Sequence, residues 1–216
     1  MLRRKEVNSL RKGELFVVSA PSGAGKTTLC RIVCERLDGI LYSVSCTTRP
    51  PREGEKEGED YFFMNDEAFD RMVAEGQFLE WAKVYAYKYG TPRRWVEEAL
   101  EAGHDVLMDL DVQGARKIRS SSLPCHLIFV LPPSIEELRN RLLKRAKDSP
   151  QEVEMRLQWA KGELGQWRDF DFILVNDDLQ RAVRALESII VAQRLRKVRV
   201  EKWMEREVER VLSPDP

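Results

Sequence analysis

Residues 19–29 read SAPSGAGKTTL. They lie between the apolar run ELFVV (residues 14–18) and the segment CRIVCERL (residues 30–37), and apolar side chains return at Leu29, Ile32, Val33 and Leu37. A β-rich run, a glycine-rich turn and a segment of helical period, in that order, predict strand, loop and helix. The window APSGAGKT meets the pattern G-x-x-x-x-G-K-[ST] at Gly25, Lys26 and Thr27, with Ala20 where the first glycine would stand. The pattern has a physical meaning. Backbone N–H groups at a helix N-terminus converge on an anion, a flexible lysine reaches the outer phosphates, and a hydroxyl ligates Mg²⁺. The plainer alternative is an ordinary glycine-rich turn with an exposed lysine. The motif and its strand–helix setting favour a loop that holds a nucleoside triphosphate.

The rest of the composition narrows the class. A chain of 216 residues buries a sizeable core without staples, with 36 basic and 36 acidic residues balancing to zero net charge. That balance gives no electrostatic reason to expect nucleic acid or an anionic membrane as a partner. Two histidines leave little for a histidine metal site. Of the four cysteines, Cys30 and Cys34 stand four apart on the expected helix. They read as small core residues, because no second pair completes a zinc site. Apolar runs are strand-sized, below the ~20 residues a membrane helix needs, and the charged start MLRRKEVNSLRKGE is unlike a signal peptide. The expected location is the cytoplasm.

Along the chain, residues 1–13 read as a flexible polar lead. A second strand is expected at ILYSVS (residues 40–45). Residues 47–60 then lose apolar periodicity and become dense in Pro, Gly, Arg and Glu. YFF, a helix starting at Asp66 and stopping at Gly76, the strand FLEWAKVYAY and the turn YGTP follow. This stretch, residues 47–91, reads as a lobe inserted into a core made of 14–46 and 92–212. In the core the strand–helix rhythm resumes: a helix from Pro92, the strand HDVLMDLD, the helix VQGARKIR, the strand HLIFVLPP, a helix capped by Ser134 and running to Arg145, another to about Gln166, and the strand DFILVND. One or two charged helices close the chain from Asp178 to about Leu212. Alternation of this kind predicts an α/β fold, a parallel sheet covered by helices on both faces.

Two stretches of the lobe carry chemistry. In SVSCTTRPPREGEKEGEDYFF, Arg49 and Arg52 stand three apart with Tyr61 soon after, a set suited to gripping a phosphate dianion. A solvated Arg/Glu loop is the bland alternative. In FLEWAKVYAYKYGT, Glu80 is a lone acid on an apolar strand, and Tyr89 and Thr91 flank a turn glycine.

The succession of phosphate loop, SVSCTTRPPREGE, DYFF, FLEWA, YGT, DLDVQG, IFVLPPS and VNDD resembles guanylate kinase, the ATP:GMP phosphotransferase family, over roughly residues 15–195. APSGAGK, with its leading alanine, is similar to a common bacterial form of the family loop. The resemblance implies a P-loop sheet with an inserted GMP-binding lobe and a helical lid at residues 141–158. It implies that ATP is held by Ala20, Pro21, Ser22, Gly23, Ala24, Gly25, Lys26, Thr27 and Thr28, with Arg141, and with Asn176 near the adenine. Arg49, Arg52, Tyr61 and Tyr89 would hold the GMP phosphate. Ser45, Glu80, Thr91 and Asp111 would surround guanine. Mg²⁺ would meet Thr27 and, through water, Asp109. Lys26, Arg49, Arg145 and Arg156 would be the catalytic cations, Arg141, Arg145 and Arg156 belonging to the lid.

The chain departs from the family pattern at Ala86-Tyr87-Lys88, where a Gly-Asn-Tyr run is usual, and at Ala146, where glycine usually follows the lid arginine. Three rivals are weaker. A scaffold module of guanylate-kinase-like fold would typically have lost the phosphate loop, yet Lys26 and Thr27 stand. A kinase for another phosphorylated acceptor fits Glu80 and Thr91 less well, and a nucleic-acid-stimulated ATPase finds no support in the neutral charge. The expected partners are therefore small-molecule ATP and GMP, with no nucleic acid and no membrane. In the C-terminal segment, Leu195, Val198, Trp203 and Val208 form a stripe that packs on the core or mediates homo-oligomerisation, so the chain is a monomer or a homo-oligomer through its C-terminal helix.

Overall fold

β1 (Leu15–Ser19) is buried along its whole length in a computed structural model that describes residues 12–84, 86–144 and 150–212. Residues 1–11, Arg145 and Ala146 fall outside the described part. β1 is the middle strand of a five-stranded, all-parallel sheet ordered β2-β7-β1-β8-β9, with β2 at Ile40–Tyr42, β7 at Asp105–Leu110, β8 at Cys125–Leu131 and β9 at Phe172–Val175. Strand side chains alternate between faces. Phe16 and Val18 join Leu107, Ile128 and Val130 in one core, closed by α1 (Lys26–Arg36) and the later helix α7 (Leu179–Arg194). Leu15 and Val17 join Val106, Met108 and Leu127 in the other, closed by α3 (Arg93–Glu101) and α4 (Val112–Arg119). An apolar strand covered on both faces by helices is what the unbroken run ELFVV requires. Cys30 sits in the first core, Cys34 packs against it, and all four cysteines are free thiols.

The strand expected over residues 40–45 is two strands in two sheets. The Ser43 N–H still donates to the Leu107 carbonyl (2.9 Å) at the edge of the parallel sheet. Two residues later β3 (Ser45–Thr47) pairs with β4 (Tyr61–Phe63) and β6 (Tyr87–Pro92) instead. Hydrophobic alternation runs through both pieces, so pattern alone cannot show where the partner changes. β3, β4, β6 and β5 (Phe78–Val84) make a four-stranded sheet ordered β4-β3-β6-β5, and α2 (Asp66–Ala74) seats Phe69 on Cys46 and Phe78 beneath it. Leu79 of β5 is buried in the second core, and polar ties join the lobe to the core as well. Arg31 on α1 meets Asp60 at 2.6 Å, and Lys117 on α4 donates to the Trp81 carbonyl and lies over its ring.

α5 (Ile135–Lys144) and α6 (Pro150–Leu164) share a small core of their own, Leu138, Leu142, Val153, Leu157 and Ala160. Leu138 and Leu142 close over Gly23 of the phosphate loop, where an added Cβ would meet Leu142 at 3.0 Å. α8 (Lys197–Leu212) leaves Val198, Met204, Val208 and Leu212 exposed, and the side chain of Trp203 lies outside the described part.

Asp105, at the start of β7, is fully buried. It accepts the Glu14 N–H (2.9 Å) and the Arg194 Nε–H (2.7 Å), tying the entrance of β1 to the last turn of α7. Asp105→Ala leaves a largely buried guanidinium without its carboxylate. The expected loss is about 3 kcal/mol of folding free energy, read as a lowered urea midpoint, with Asp105→Asn losing less.

Candidate active site

The phosphate loop is shaped by two left-handed glycines, Gly23 (φ 94°) and Gly25 (φ 90°). Gly25 is doubly constrained: a Cβ there would approach Asn176 Nδ2 to 2.7 Å. Asn176 is buried and donates from that nitrogen to the Ala24 carbonyl at 2.7 Å. Arg141 donates to the same carbonyl (3.4 Å) and to the Asn176 carbonyl (3.2 Å), and is itself held by Glu137 (2.9 Å). With the Ala24 carbonyl drawn outward by two donors, the loop is braced from behind. Asn176 and Arg141, the two residues expected beside ATP, both meet the loop at the Ala24 carbonyl. The 152-residue separation of Asn176 from Ala24 hides this contact from any local pattern.

Parallel pairing of β1 with β7 puts Val18 opposite Asp109 and Ser19 opposite Leu110. The end of β7 therefore lies beside the start of α1. Lys26 Nζ donates to the Leu110 carbonyl (2.7 Å) and pairs with Asp109 Oδ1, while the Thr27 hydroxyl donates to Asp109 Oδ2 (2.5 Å). Burial opposes the charge on Lys26, but the adjacent Asp109 carboxylate outweighs it and raises the ammonium pKa.

The loop forms one end of a cleft of about 520 Å³. Ala20 to Thr28 line that end; Ser45, Arg49, Arg52, Tyr61, Glu80 and Tyr89 line the lobe side; Asp109 and Asp111 form the floor; and Arg156 faces in from α6. Arg49 is nearly fully buried and lies over the rings of Tyr61 (5.3 Å) and Phe63 (6.0 Å). It donates to Glu55 Oε1 (2.7 Å) and to the Pro50 carbonyl (2.9 Å), and Glu55 Oε2 takes the Arg52 N–H (2.7 Å). Tyr61 and Tyr89 meet edge-on at 5.8 Å. Glu55 thus sets the spacing of the two arginines. Sequence reading passed over it, although its signal, an acid three residues past Arg52, was present.

Glu80 is 6% exposed on β5. Thr91 Oγ1 donates to Glu80 Oε1 at 2.8 Å, and Gly114 lies so close that a Cβ would sit 3.0 Å from Oε2. Desolvation, set against the Thr91 hydrogen bond and reinforced by Asp111, pushes the Glu80 carboxyl up to about 7. Thr91 is fully buried beside Glu80, and its O–H orients that acid. Asp111 lines the cleft and also caps α4, accepting the Gly114 N–H at 2.7 Å. The cleft wall further includes Val84, Tyr87, Gln113, Met155, Trp159 and Glu163. Glu163 lies seven residues after Arg156 on α6, a spacing that places both on one helix face. Among the described residues no helix is long and apolar enough to cross a membrane, and no cluster of three metal-ligating side chains occurs.

The family model for guanylate kinase matches residues 12–193. The guanylate kinase of Coxiella burnetii (strain RSA 493 / Nine Mile phase I) is 48% identical over 197 residues, covering 91% of this chain and 96% of its own. That of Polaromonas sp. (strain JS666 / ATCC BAA-500) is 50% identical over 184 residues, 85% and 89% of the two chains. The crystal structure of guanylate kinase from Anaplasma phagocytophilum superposes with a TM-score of 0.74 at 32% identity, covering 89% of this chain and 92% of that one.

The bracing of the loop is testable. Asn176→Ala leaves the buried Ala24 carbonyl short of a donor, worth about 1–2 kcal/mol or roughly tenfold in affinity. Calorimetric titration should show ATP and inorganic tripolyphosphate weakened by the same factor, because the loop and not the adenine is disturbed. A loss confined to ATP would make Asn176 a base contact.

Proposed function

From the premise that the chain belongs to the guanylate kinase family, we propose that this cleft carries out the whole transfer with the residues described above. The chain passes the terminal phosphoryl group of ATP to GMP, giving ADP and GDP. The observation that carries the reading is the continuity of the cleft: a phosphate loop with Lys26 at one end and a buried carboxylate, Glu80, at the other, with Arg49 and Arg52 between.

Phosphoryl transfer between two anions is chiefly a problem of charge and position. On the donor side the loop N–H groups of Ala20 to Thr28 cradle the phosphates and Lys26 offsets the charge of the transferring group. Thr27 and Asp109 hold hard oxygen donors 2.5 Å apart. That donor set suits Mg²⁺, which needs only one or two protein ligands when phosphates complete its shell: Thr27 directly, Asp109 through water. When bound with ATP, Mg²⁺ supplies charge neutralisation at the phosphates. On the acceptor side Arg49, Arg52, Tyr61 and Tyr89 hold the GMP phosphate. The acceptor oxygen is already anionic, so no general base is required. Arg156, with Arg145 outside the described residues, serves a lid built on α5 and α6 whose closure keeps water from replacing GMP.

Selection of guanine follows from polarity. An ionised carboxylate only accepts hydrogen bonds. Glu80 therefore suits the N1–H and N2–H of guanine, with Ser45 and Asp111 beside it and Thr91 fixing its rotamer. Adenine would turn a bare N1 toward a buried charge. The reading places the chain in the cytoplasm, in purine nucleotide metabolism, without nucleic-acid or membrane partners; its zero net charge supports this. It is a monomer or a homo-oligomer through α8, whose exposed Val198, Met204 and Val208 support a contact there.

The direct test offers GMP, AMP, CMP and UMP to purified protein with ATP and Mg²⁺. Turnover on GMP alone supports the reading; equal turnover on another monophosphate overturns it. Lys26→Met should fold normally and lose far more than tenfold in kcat, a barrier increase above ~1.4 kcal/mol. With Glu80 titrating at about 7, the accepting ionised form dominates above that pH and the neutral form below it. GMP affinity should therefore fall by up to about tenfold per pH unit below 7. Glu80→Gln should flatten that additional dependence and narrow the GMP-over-AMP ratio of kcat/KM. The ionisation of the GMP phosphate acts equally in both proteins, so their difference isolates Glu80.

A further inference from the structure

β3 ends at Thr47, and the chain beyond it places Arg49 on the cleft wall without a strand to hold it. Backbone N–H groups that leave a ladder inside a fold still need acceptors. The Thr48 N–H finds the Lys88 carbonyl on β6 (3.1 Å), and the Lys88 N–H returns to the Thr48 hydroxyl (3.0 Å). Pro50, next after Arg49, has no N–H to offer. The Arg49 N–H donates to Thr47 Oγ1 at 3.1 Å, closing a local side-chain turn two residues long. The same hydroxyl donates its own proton to the Lys88 carbonyl at 3.0 Å. Thr47 is fully buried, so both bonds of its hydroxyl are made inside the lobe, away from solvent.

The register of β3 on β6 sets Thr47 opposite Tyr89, one residue past Lys88. The hydroxyl thus ties together the two segments that carry Arg49 and Tyr89, both on the cleft wall. Lys88 is anchored from its other end, its ammonium 2.9 Å from Asp66 and 2.6 Å from Asp70 of α2. Its share in the clip is main chain only, so the departure from the family pattern at residue 88 leaves the clip intact. We propose that Thr47 is a positioning residue for the acceptor phosphate: through its hydroxyl it fixes the Arg49 backbone to the strand of Tyr89, so that the two side chains converge on one phosphate. Glu55 holds the guanidinium end of Arg49, and Thr47 holds its main chain. The role rests on the reading in which Arg49 and Tyr89 grip the phosphate of GMP.

Two substitutions separate the hydroxyl from the bulk. Thr47→Val keeps the shape and removes both hydrogen bonds; Thr47→Ser keeps the hydroxyl and removes a buried methyl. In steady-state assays the KM for GMP should rise about five- to tenfold in Thr47→Val, the scale of a buried hydrogen bond lost. The KM for ATP should stay within about twofold of wild type, because the phosphate loop shares no partner with Thr47. Thr47→Ser should keep the KM for GMP within about twofold of wild type, even where the lost methyl lowers its urea midpoint. A residue needed only to fill the lobe gives the opposite order, with valine near wild type and serine impaired. If the valine variant folds poorly, Thr47→Ala against Thr47→Ser isolates the hydroxyl at equal loss of the methyl, and the same rise in KM is expected. An unchanged KM for GMP without the hydroxyl, a failure of serine to restore it, or equal weakening of ATP and GMP overturns the proposal. Failure of the functional reading is separable, since wild-type protein would then not phosphorylate GMP whatever stands at position 47.

Discussion

The Asp109 carboxylate is the constraint around which the rest of the molecule is arranged. It engages Lys26 with one oxygen and Thr27 with the other. Those partners are neighbours at the start of α1, while Asp109 comes from a strand more than eighty residues later. Only parallel pairing of β1 and β7 in this register brings them together, with Val18 opposite Asp109. The two apolar cores on either side of the sheet exist to fix that register: a one-residue slip would turn Phe16 and Val18 into the wrong core and carry Asp109 away from the loop.

Around that point two cations suited to a phosphate already have a carboxylate of the chain itself. Lys26 has Asp109 and Arg49 has Glu55. An unpaired buried charge is strongly destabilising, so an empty phosphate site needs internal counter-charges. The same carboxylates then preorganise the cations: Glu55, gripping Arg49 with one oxygen and the Arg52 backbone with the other, fixes where the two arginines stand before any ligand arrives. Glu80 is the exception. It accepts from a hydroxyl with Gly114 close by, and burial, helped by Asp111, lifts its pKa against the pull of Thr91 and the more distant Lys117. A carboxylate left wanting donors is suited to a ligand that brings two.

The lobe meets the core along β5, whose Leu79 sits in the second core with side chains of α3 and α4, and through the polar contacts Arg31–Asp60 and Lys117 on Trp81. Each of the lobe and the α5–α6 pair has a small core of its own.

The sequence alone determined the phosphate loop, the α/β rhythm, the inserted lobe and the group of polar residues from Ser45 to Thr91, because those signals are local: glycine spacing, helix caps such as Ser134, and apolar period. It also supplied the resemblance from which the roles proposed for those residues come. Tertiary structure decided what depends on distant pairing. Residues 40–45 divide between two sheets because Ser43 and Ser45 find different partners. Asn176 and Arg141 brace the loop from behind, and Thr91 spends its hydroxyl on Glu80. Leu138 and Leu142 reach Gly23 only because α5 folds back over the loop. A side chain's type is written in the chain, but its hydrogen-bond partner is set by which strands lie side by side, and no local pattern encodes that.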